Sequence, residues 1–321
     1  PDRSLLRTGH HHLLGATAMN ILIDFVHPAD INFYKAAIAR LHKQGHSITI
    51  TVLDRGKLVA IAKQEYPHDK VIAFGKHRKK LLGKAWGAAM RELRFLGRYL
   101  TRRPSVVSGF GAYAGLWARP LGIRSVHFHD DSEYRLNFFF TKLLCSRFIA
   151  LCDTKMTKKV RRVNSYKELS YLNPPVDDKV SKDFFTRLGV KPKRYVYVRE
   201  VANISLNYAD HKSFDYTPLF TWAKKQGYEI LLDAEGQVDH YQQAKRFSGV
   251  FTSSEMTAVK NNAALIVTSG DTVLREGALL GVPTVYTSHR VMSVNQELLD
   301  HHARVDLLIE SLAPSHEDRA G

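Results

Sequence analysis

AALIVTSGDTVLREGALLGVPTVYTS, residues 263–288, is the stretch on which the fold of this chain turns. It divides into an apolar, β-branched run (ALIVT), a polar turn (SGDT), an amphipathic helix (VLREGALL), a stop at Gly281 and Pro283, and a second strand (TVYT). The first run is short enough for a buried parallel strand, and Leu274, Ala278 and Leu279 share one helical face. A turn that leads from a strand into a helix aims unpaired backbone N–H groups, and the positive end of the helix dipole, at whatever occupies the crevice beyond it. Ser269, Gly270, Asp271 and Thr272 are therefore a candidate phosphate cradle. Glu276, one turn further on, is spaced to accept hydrogen bonds from ribose hydroxyls. Such units also occur in α/β proteins that bind nothing there, so the remaining chain has to decide.

Outward from this stretch the same alternation repeats. MNILIDF (19–25) is a first strand, 31–44 a helix closed by Gly45, HSITITVL (46–53) a second strand, 54–66 a helix and VIAF a third strand. RSVHFH (124–129), 137–144 and 148–151 continue the series as strand, helix and strand. YKELSYLNPP (166–175), with its two prolines, reads as an extended connector. After it the pattern restarts with YVYVR, a helix over 217–226, EILLD, and helices over 237–247 and 253–262. Strands alternating with helices on both sides of one break predict an α/β chain of two Rossmann-like parallel-sheet lobes facing each other across a cleft. The expected boundaries are 19–172 and 173–310, with 1–18 as a tag or upstream extension and 311–321 as a disordered tail.

Composition narrows the partners. Of 321 residues, 44% are hydrophobic and 24% charged, which excludes a disordered chain, and the formal net charge of +16 calls for an anionic partner. Cys145 and Cys152 are the only cysteines, too few for a disulfide framework or a four-ligand zinc site, so a reducing cytoplasm is expected. The alternating histidines of RSVHFH point to opposite faces of a strand, so no metal site is expected there.

Residues 75–104 hold ten lysines and arginines against one acid, Glu92, interleaved with Leu82, Trp86, Met90, Leu93 and Phe95. This reads either as a solvated amphipathic helix face or as a site of attachment to an anionic membrane. No nucleic-acid motif is present, so no nucleic acid is expected.

ILIDFVHPADINFYKAAIARLHKQGHSITIT, GIRSVHFHDDSE, YKELSYLNPP and TSGDTVLREGALLGVP, in that order, resemble an archaeal and bacterial family of unknown function with a glycosyltransferase-B-like (GT-B-like) fold. That family is similar in outline to the lipid-linked glycosyltransferase MurG and to the UDP-N-acetylglucosamine 2-epimerases. The resemblance spans roughly 19–308 and implies a nucleotide sugar, UDP-linked, as substrate, no further cofactor, and a donor lying on the C-terminal lobe. It implies phosphate contacts at Ser269, Gly270, Asp271 and Thr272, a ribose contact at Glu276, phosphate neutralisation by Arg199, and sugar contacts at Asn295 and Gln296. Family members usually carry a small residue where this chain has Asp271. A carboxylate beside a pyrophosphate is unfavourable unless it turns away as a helix N-cap.

Glycosyl transfer needs leaving-group stabilisation, which a helix start and Arg199 supply without a metal. An inverting enzyme also needs a base from the N-terminal lobe. His27, just past the first strand, and Asp131 and Glu133, past RSVHFH, are the candidates, with helix capping or loop bracing as the alternative for each. The expectation is a cytoplasmic glycosyltransferase, soluble or peripheral on the inner membrane face, acting on a lipid-linked or polysaccharide acceptor. Its rivals are a sugar-nucleotide epimerase or hydrolase of the same fold and a non-catalytic anion-binding protein.

Overall fold

NILIDF becomes β1 (Asn20–Phe25), a central strand buried on both faces. It belongs to a computed structural model that describes residues 17–76, 81–133, 135–152, 154–172, 180–181, 183–201, 214–235, 241, 244–288 and 292–301. After β1 come α1 (Pro28–Lys43), β2 (Ser47–Asp54), α2 (Leu58–Glu65), β3 (Lys70–Lys76), α3 (Leu81–Tyr99), β4 (Val106–Phe110), α4 (Tyr113–Ala118), β5 (Arg124–His129), α5 (Arg135–Leu144), β6 (Arg147–Ala150) and β7 (Val160–Arg162). The strands form one parallel sheet in the order β3-β2-β1-β4-β5-β6-β7. Because the order reverses after β3, right-handed crossovers place α1 and α2 on one face and α3, α4 and α5 on the other.

Period-two alternation along β1 fills both sides. Ile21, Ile23 and Phe25 pack with Ile31, Tyr34 and Ile38 of α1, whereas Leu22 packs with Phe95 of α3 and Trp117 of α4. Phe95 and Trp117 stack with centroids 4.9 Å apart. Asp24 faces the same side as Leu22 and meets Arg91, whose NH1 and NH2 donate to Oδ2 at 3.0 Å and Oδ1 at 2.6 Å. Thr51 Oγ1 adds a third donor at 2.7 Å, so the buried carboxylate is fully engaged. Arg91 therefore leaves the basic surface on which the sequence places it: it is 3% exposed and pins α3 to the sheet. Gly75 makes room for it, since a Cβ there would lie 2.7 Å from Arg91 Cδ.

The second lobe follows two short helices, α6 (Leu169–Leu172) and α7 (Phe184–Arg187). It comprises β8 (Tyr195–Glu200), α8 (Thr217–Lys225), β9 (Glu229–Ala234), β10 (Lys245–Arg246), α9 (Ser253–Asn261), β11 (Leu265–Thr268), α10 (Asp271–Leu279), β12 (Thr284–Tyr286) and α11 (Ser293–His301). Its parallel sheet has the order β10-β9-β8-β11-β12. The helix α10 lies close on its sheet because Gly277 has no side chain; a Cβ would fall 2.2 Å from Thr284 Oγ1.

Three expectations are corrected. The connector is not wholly extended, because Leu169–Leu172 forms a helical turn before the two prolines. The helix expected over 237–247 is replaced at its C-terminal end by the edge strand Lys245–Arg246, which pairs with Leu231–Leu232; residues 236–240, 242 and 243 lie outside the described residues. The second helix begins at Leu58, not at residue 54, because β2 runs on to Asp54. The expected extension and tail, up to residue 16 and from 302 onward, also lie outside the described residues.

Candidate functional site

Both sheets reverse strand order once, at β1/β4 and at β8/β11, and open α/β sheets bind ligands beyond the C-terminal ends of such strands. On the second lobe that position holds the turn between β11 and α10. Gly270 is the N-cap in extended backbone, and its N–H donates to Thr268 Oγ1 at 2.9 Å. The Ser269 hydroxyl accepts from Val201 N–H at 2.9 Å and donates to Glu200 Oε2 at 3.2 Å. Its hydroxyl thus braces the turn against β8, and the backbone at the head of α10 is what this turn offers an anion. Thr272 lies in that first helical turn.

Asp271 does not cap the helix. It is 6% exposed, and its Oδ1 accepts from Tyr286 Oη at 2.5 Å and Asn295 Nδ2 at 2.8 Å. The carboxylate is drawn toward β12 and α11. Asn295 is itself fixed, its Oδ1 accepting from Arg275 NH1 at 3.0 Å, whereas Gln296 is exposed in the first turn of α11.

Arg275 ties the lobes together. Its Nε donates to Glu168 Oε1 at 2.8 Å and its NH2 to Asp130 Oδ2 at 3.2 Å, with Arg275 2% and Glu168 0% exposed. Lys167 Nζ reaches the same Asp130 oxygen at 2.5 Å. Burial opposes ionisation of Asp130, but Lys167 and Arg275 hold its carboxyl well below the usual range.

Glu276 sits one residue on, 2% exposed, between two elements. Lys260 Nζ of α9 contacts Oε2 at 2.5 Å, and Tyr171 Oη of the connector donates to Oε1 at 2.9 Å. The carboxylate expected at a ribose is therefore charge-balanced by Lys260 and accepts a second bond from a phenol.

Arg199, at the end of β8, is engaged by Asp233 Oδ1 at 2.7 Å and by Glu235. It does not pair with Glu200 or Glu229: Glu200 accepts from Tyr216 and Ser269, and Glu229 pairs with Lys224 and Lys245. The pair of acids raises the already high pKa of Arg199 against the opposing effect of burial.

On the first lobe His27 is the N-cap of α1. Its Nδ1 accepts from Ala29 N–H at 3.2 Å while Asp30 Oδ2 accepts from His27 N–H at 2.9 Å, a reciprocal capping box. The surrounding protein, then Lys167, Arg55 and Arg199, hold its pKa below the ordinary histidine value, although the residue stays solvent-exposed. A neutral ring that accepts at Nδ1 carries its proton on Nε2, and there it donates. Glu133 reaches across to α11, accepting from Ser293 N–H at 3.0 Å and Ser293 Oγ at 2.8 Å. Partial burial works against its charge, yet these bonds and one with Asp131 bring its pKa down. Asp131 is 9% exposed, and its N–H donates to His129 Nδ1 at 3.2 Å.

The structure thus gathers Ser269, Gly270, Asp271, Thr272, Glu276 and Asn295 around α10, with Asp131 and Glu133 across the lobe contact. Glu168, Lys167, Tyr171, Lys260 and Arg275 complete the arrangement and are not apparent from the sequence alone. Their one signal is the adjacent Arg275–Glu276 pair, two charges on a helix whose other inward residues beyond the first turn, Leu274 and Gly277, are apolar or small.

No protein-family model matches the chain, and no curated protein matches it in sequence. Solved structures do. The UDP-GlcNAc 2-epimerase of Methanocaldococcus jannaschii, in complex with UDP-GlcNAc and UDP, superimposes with a TM-score of 0.62 at 16% identity over 84% of this chain and 83% of its own. MnaA of S. aureus, in a co-structure with UDP, gives 0.64 at 10% identity over 92% and 89%. The glycotransferase of kitacinnamycin gives 0.56 at 15% identity over 91% and 86%. The architecture is therefore GT-B-like: two Rossmann-like parallel-sheet lobes, similar in fold to both the epimerases and a glycosyltransferase.

Proposed function

We propose that the protein binds a nucleotide-activated sugar on its C-terminal lobe and transfers the sugar to a lipid-linked or polysaccharide acceptor. The observation that carries this is the β11–α10 turn at a strand-order reversal, followed by Glu276 with one carboxylate oxygen on a displaceable tyrosine hydroxyl. In this reading the head of α10, with Gly270, Asp271 and Thr272, takes the diphosphate, and Ser269 braces the turn. The ribose displaces Tyr171 Oη from Glu276. Arg199, at the mouth of the lobe, serves as the metal-independent counter-charge once a phosphate draws it from Asp233 or Glu235, and Asn295 and Gln296 border the sugar. The fold neighbours solved with UDP or UDP-GlcNAc bound support a UDP-linked donor.

On the acceptor side His27 offers Nε2–H as a donor, and the Asp131–Glu133 pair is left to take the acceptor proton. A second reading, a sugar-nucleotide epimerase, is favoured by the number of epimerases among the fold neighbours. Against it, an epimerase needs several acids converging on one sugar, and here Asp130 and Glu168 are committed to Arg275. Incubation with UDP-N-acetylglucosamine and product analysis separates the two. Release of UDP with sugar on an added polyprenyl phosphate or saccharide supports transfer, whereas a changed sugar still linked to UDP supports epimerisation.

A further inference from the structure

The helices on one side of the seven-stranded sheet leave an apolar face uncovered. α3, α4 and α5 are successive crossovers that pack side by side, α3 on α4 and α4 on α5. From α3 and its end come Trp86, 62% exposed, Leu93, 59%, and Leu100, 56%. Their spacing of seven residues sets them in one line along the helix. From α5 come Leu136, Phe139, Phe140 and Leu143, at the spacing of a single helical face, and Leu116 of α4 lies on the helix between. Seven of the twelve large hydrophobic side chains exposed among the described residues collect on these three helices, and an eighth, Leu100, directly follows α3. Single exposed apolar residues need no explanation, but a concentration of this kind marks a docking surface.

The exposed charge on the three helices themselves has one sign. Arg94 and Arg98 are exposed on α3, and Arg135 opens α5. Arg119 and Lys159 close the far end of α5 by donating to the carbonyl of Leu143 at 2.5 and 2.8 Å. The sole acid in the three helices is Glu92. Both its carboxylate oxygens are buried, and burial pushes its pKa up to about 8, so it contributes little negative charge near neutrality. A second copy of the chain docked here would bring two basic rims together. An anionic bilayer meets both properties at once, burying the apolar residues and neutralising the rim.

We propose that the face formed by α3, α4 and α5 docks on an anionic lipid bilayer, with α5 as its main apolar footing. Glu133 lies two residues before α5 begins, so docking of α5 brings the acceptor-side rim, with Asp131 and Glu133, to the membrane surface. This deepens the acceptor half of the proposed function by naming the surface from which a lipid-linked acceptor is taken.

The test is flotation of the full chain, without nucleotide, on vesicles of phosphatidylcholine containing about a third phosphatidylglycerol. The wild type is expected to float at low salt and progressively less as salt rises. The variant Phe139→Ser/Phe140→Ser/Leu143→Ser, with an unchanged circular dichroism spectrum, is expected to partition at least about tenfold less. Emission of Trp86, isolated by comparison with Trp86→Phe, is expected to shift to shorter wavelength on vesicles. A triple variant that floats like the wild type overturns the proposal. So does a wild type that stays unbound at low salt, or one that sediments as a dimer which the triple variant dissociates. If the triple variant misfolds, Arg98→Glu/Arg135→Glu replaces it, and flotation undiminished by that change also overturns the proposal. Because no nucleotide is present, failure here leaves the nucleotide-sugar reading standing, and failure of nucleotide binding leaves this one standing.

Discussion

The hydroxyl of Tyr171, in the connector between the lobes, donates to Glu276 Oε1 at 2.9 Å, while Lys260 holds the other oxygen of the same carboxylate. If a ribose hydroxyl takes the place of the phenol, nucleotide binding must first break this bond. Tyr171→Phe removes the competitor, and a neutral competing donor to a charged acceptor is worth on the order of 1 kcal/mol. Affinity for UDP, measured by calorimetry, is expected to rise about fivefold. An unchanged or weakened affinity would mean that Tyr171 does not compete.

The Lys260–Glu276 pair is 3% and 2% exposed, so removing one partner strands a buried charge. Glu276→Leu alone is expected to cost about 3–5 kcal/mol of stability, and Lys260→Met/Glu276→Leu to recover most of it. Urea unfolding of the three proteins checks this, and a double variant no more stable than the single one refutes it. The double variant is also the folded protein on which the ribose role can be tested.

Arg275 makes the corresponding prediction for the lobe contact. Arg275→Met leaves Glu168, which is fully buried, and Asp130 without their shared cation, although Lys167 remains on Asp130. A loss of about 3–5 kcal/mol is expected. Limited proteolysis is expected to cut the connector near Leu169–Leu172 sooner than in the wild type.

The Glu92 carboxyl gives a pH signature. Its folded pKa, raised by burial from 4.5 to about 8, lies above its unfolded value. The native chain therefore keeps a proton that the unfolded chain releases, and the wild type loses stability as pH rises through that window. Glu92→Gln has no such loss. Its advantage over the wild type in urea is expected to grow between those two values, by up to about 5 kcal/mol. A difference independent of pH would rule out a titrating Glu92.

The two-lobe architecture was legible because it rests on local patterns: β-branched runs, helical spacing and glycine or proline stops. The register of 263–288 as strand, turn, helix and strand is seen directly in β11, α10 and β12. Elements set by tertiary pairing were not legible. Lys245–Arg246 is a two-residue edge strand with no alternation to read, inside a segment of good helix formers. The prolines after Leu172 suggested an extended connector, yet proline restricts the residue before it and leaves the preceding turn free to be helical. Partners such as Tyr171 for Glu276, or Glu168 for Arg275, lie more than a hundred residues apart, and no spacing rule reaches them. Asp271 illustrates both sides: its chemical awkwardness beside a phosphate is plain from the sequence, but its partners Tyr286 and Asn295 are visible only once β12 and α11 are in place.

Those partners lead to a further expectation. Tyr286→Phe/Asn295→Ala removes two hydrogen bonds from the Asp271 carboxylate beside the head of α10 and so leaves more of its charge to act against a diphosphate. Affinity for UDP is expected to fall by about 1 kcal/mol or more, and Asp271→Asn added to this pair is expected to restore it. If the added substitution makes no difference, charge at Asp271 does not act on the ligand.

The central claim, a nucleotide seated on α10 with its ribose at Glu276, is tested most directly by isothermal titration of UDP, GDP and CDP into the wild type and into Lys260→Met/Glu276→Leu. One nucleotide, expected to be UDP, should bind the wild type, and its affinity should drop at least about thirtyfold in the folded double variant, the loss of charge-assisted hydrogen bonds to two hydroxyls. No binding of any of the three by the wild type, or equal affinity in both proteins, would contradict it.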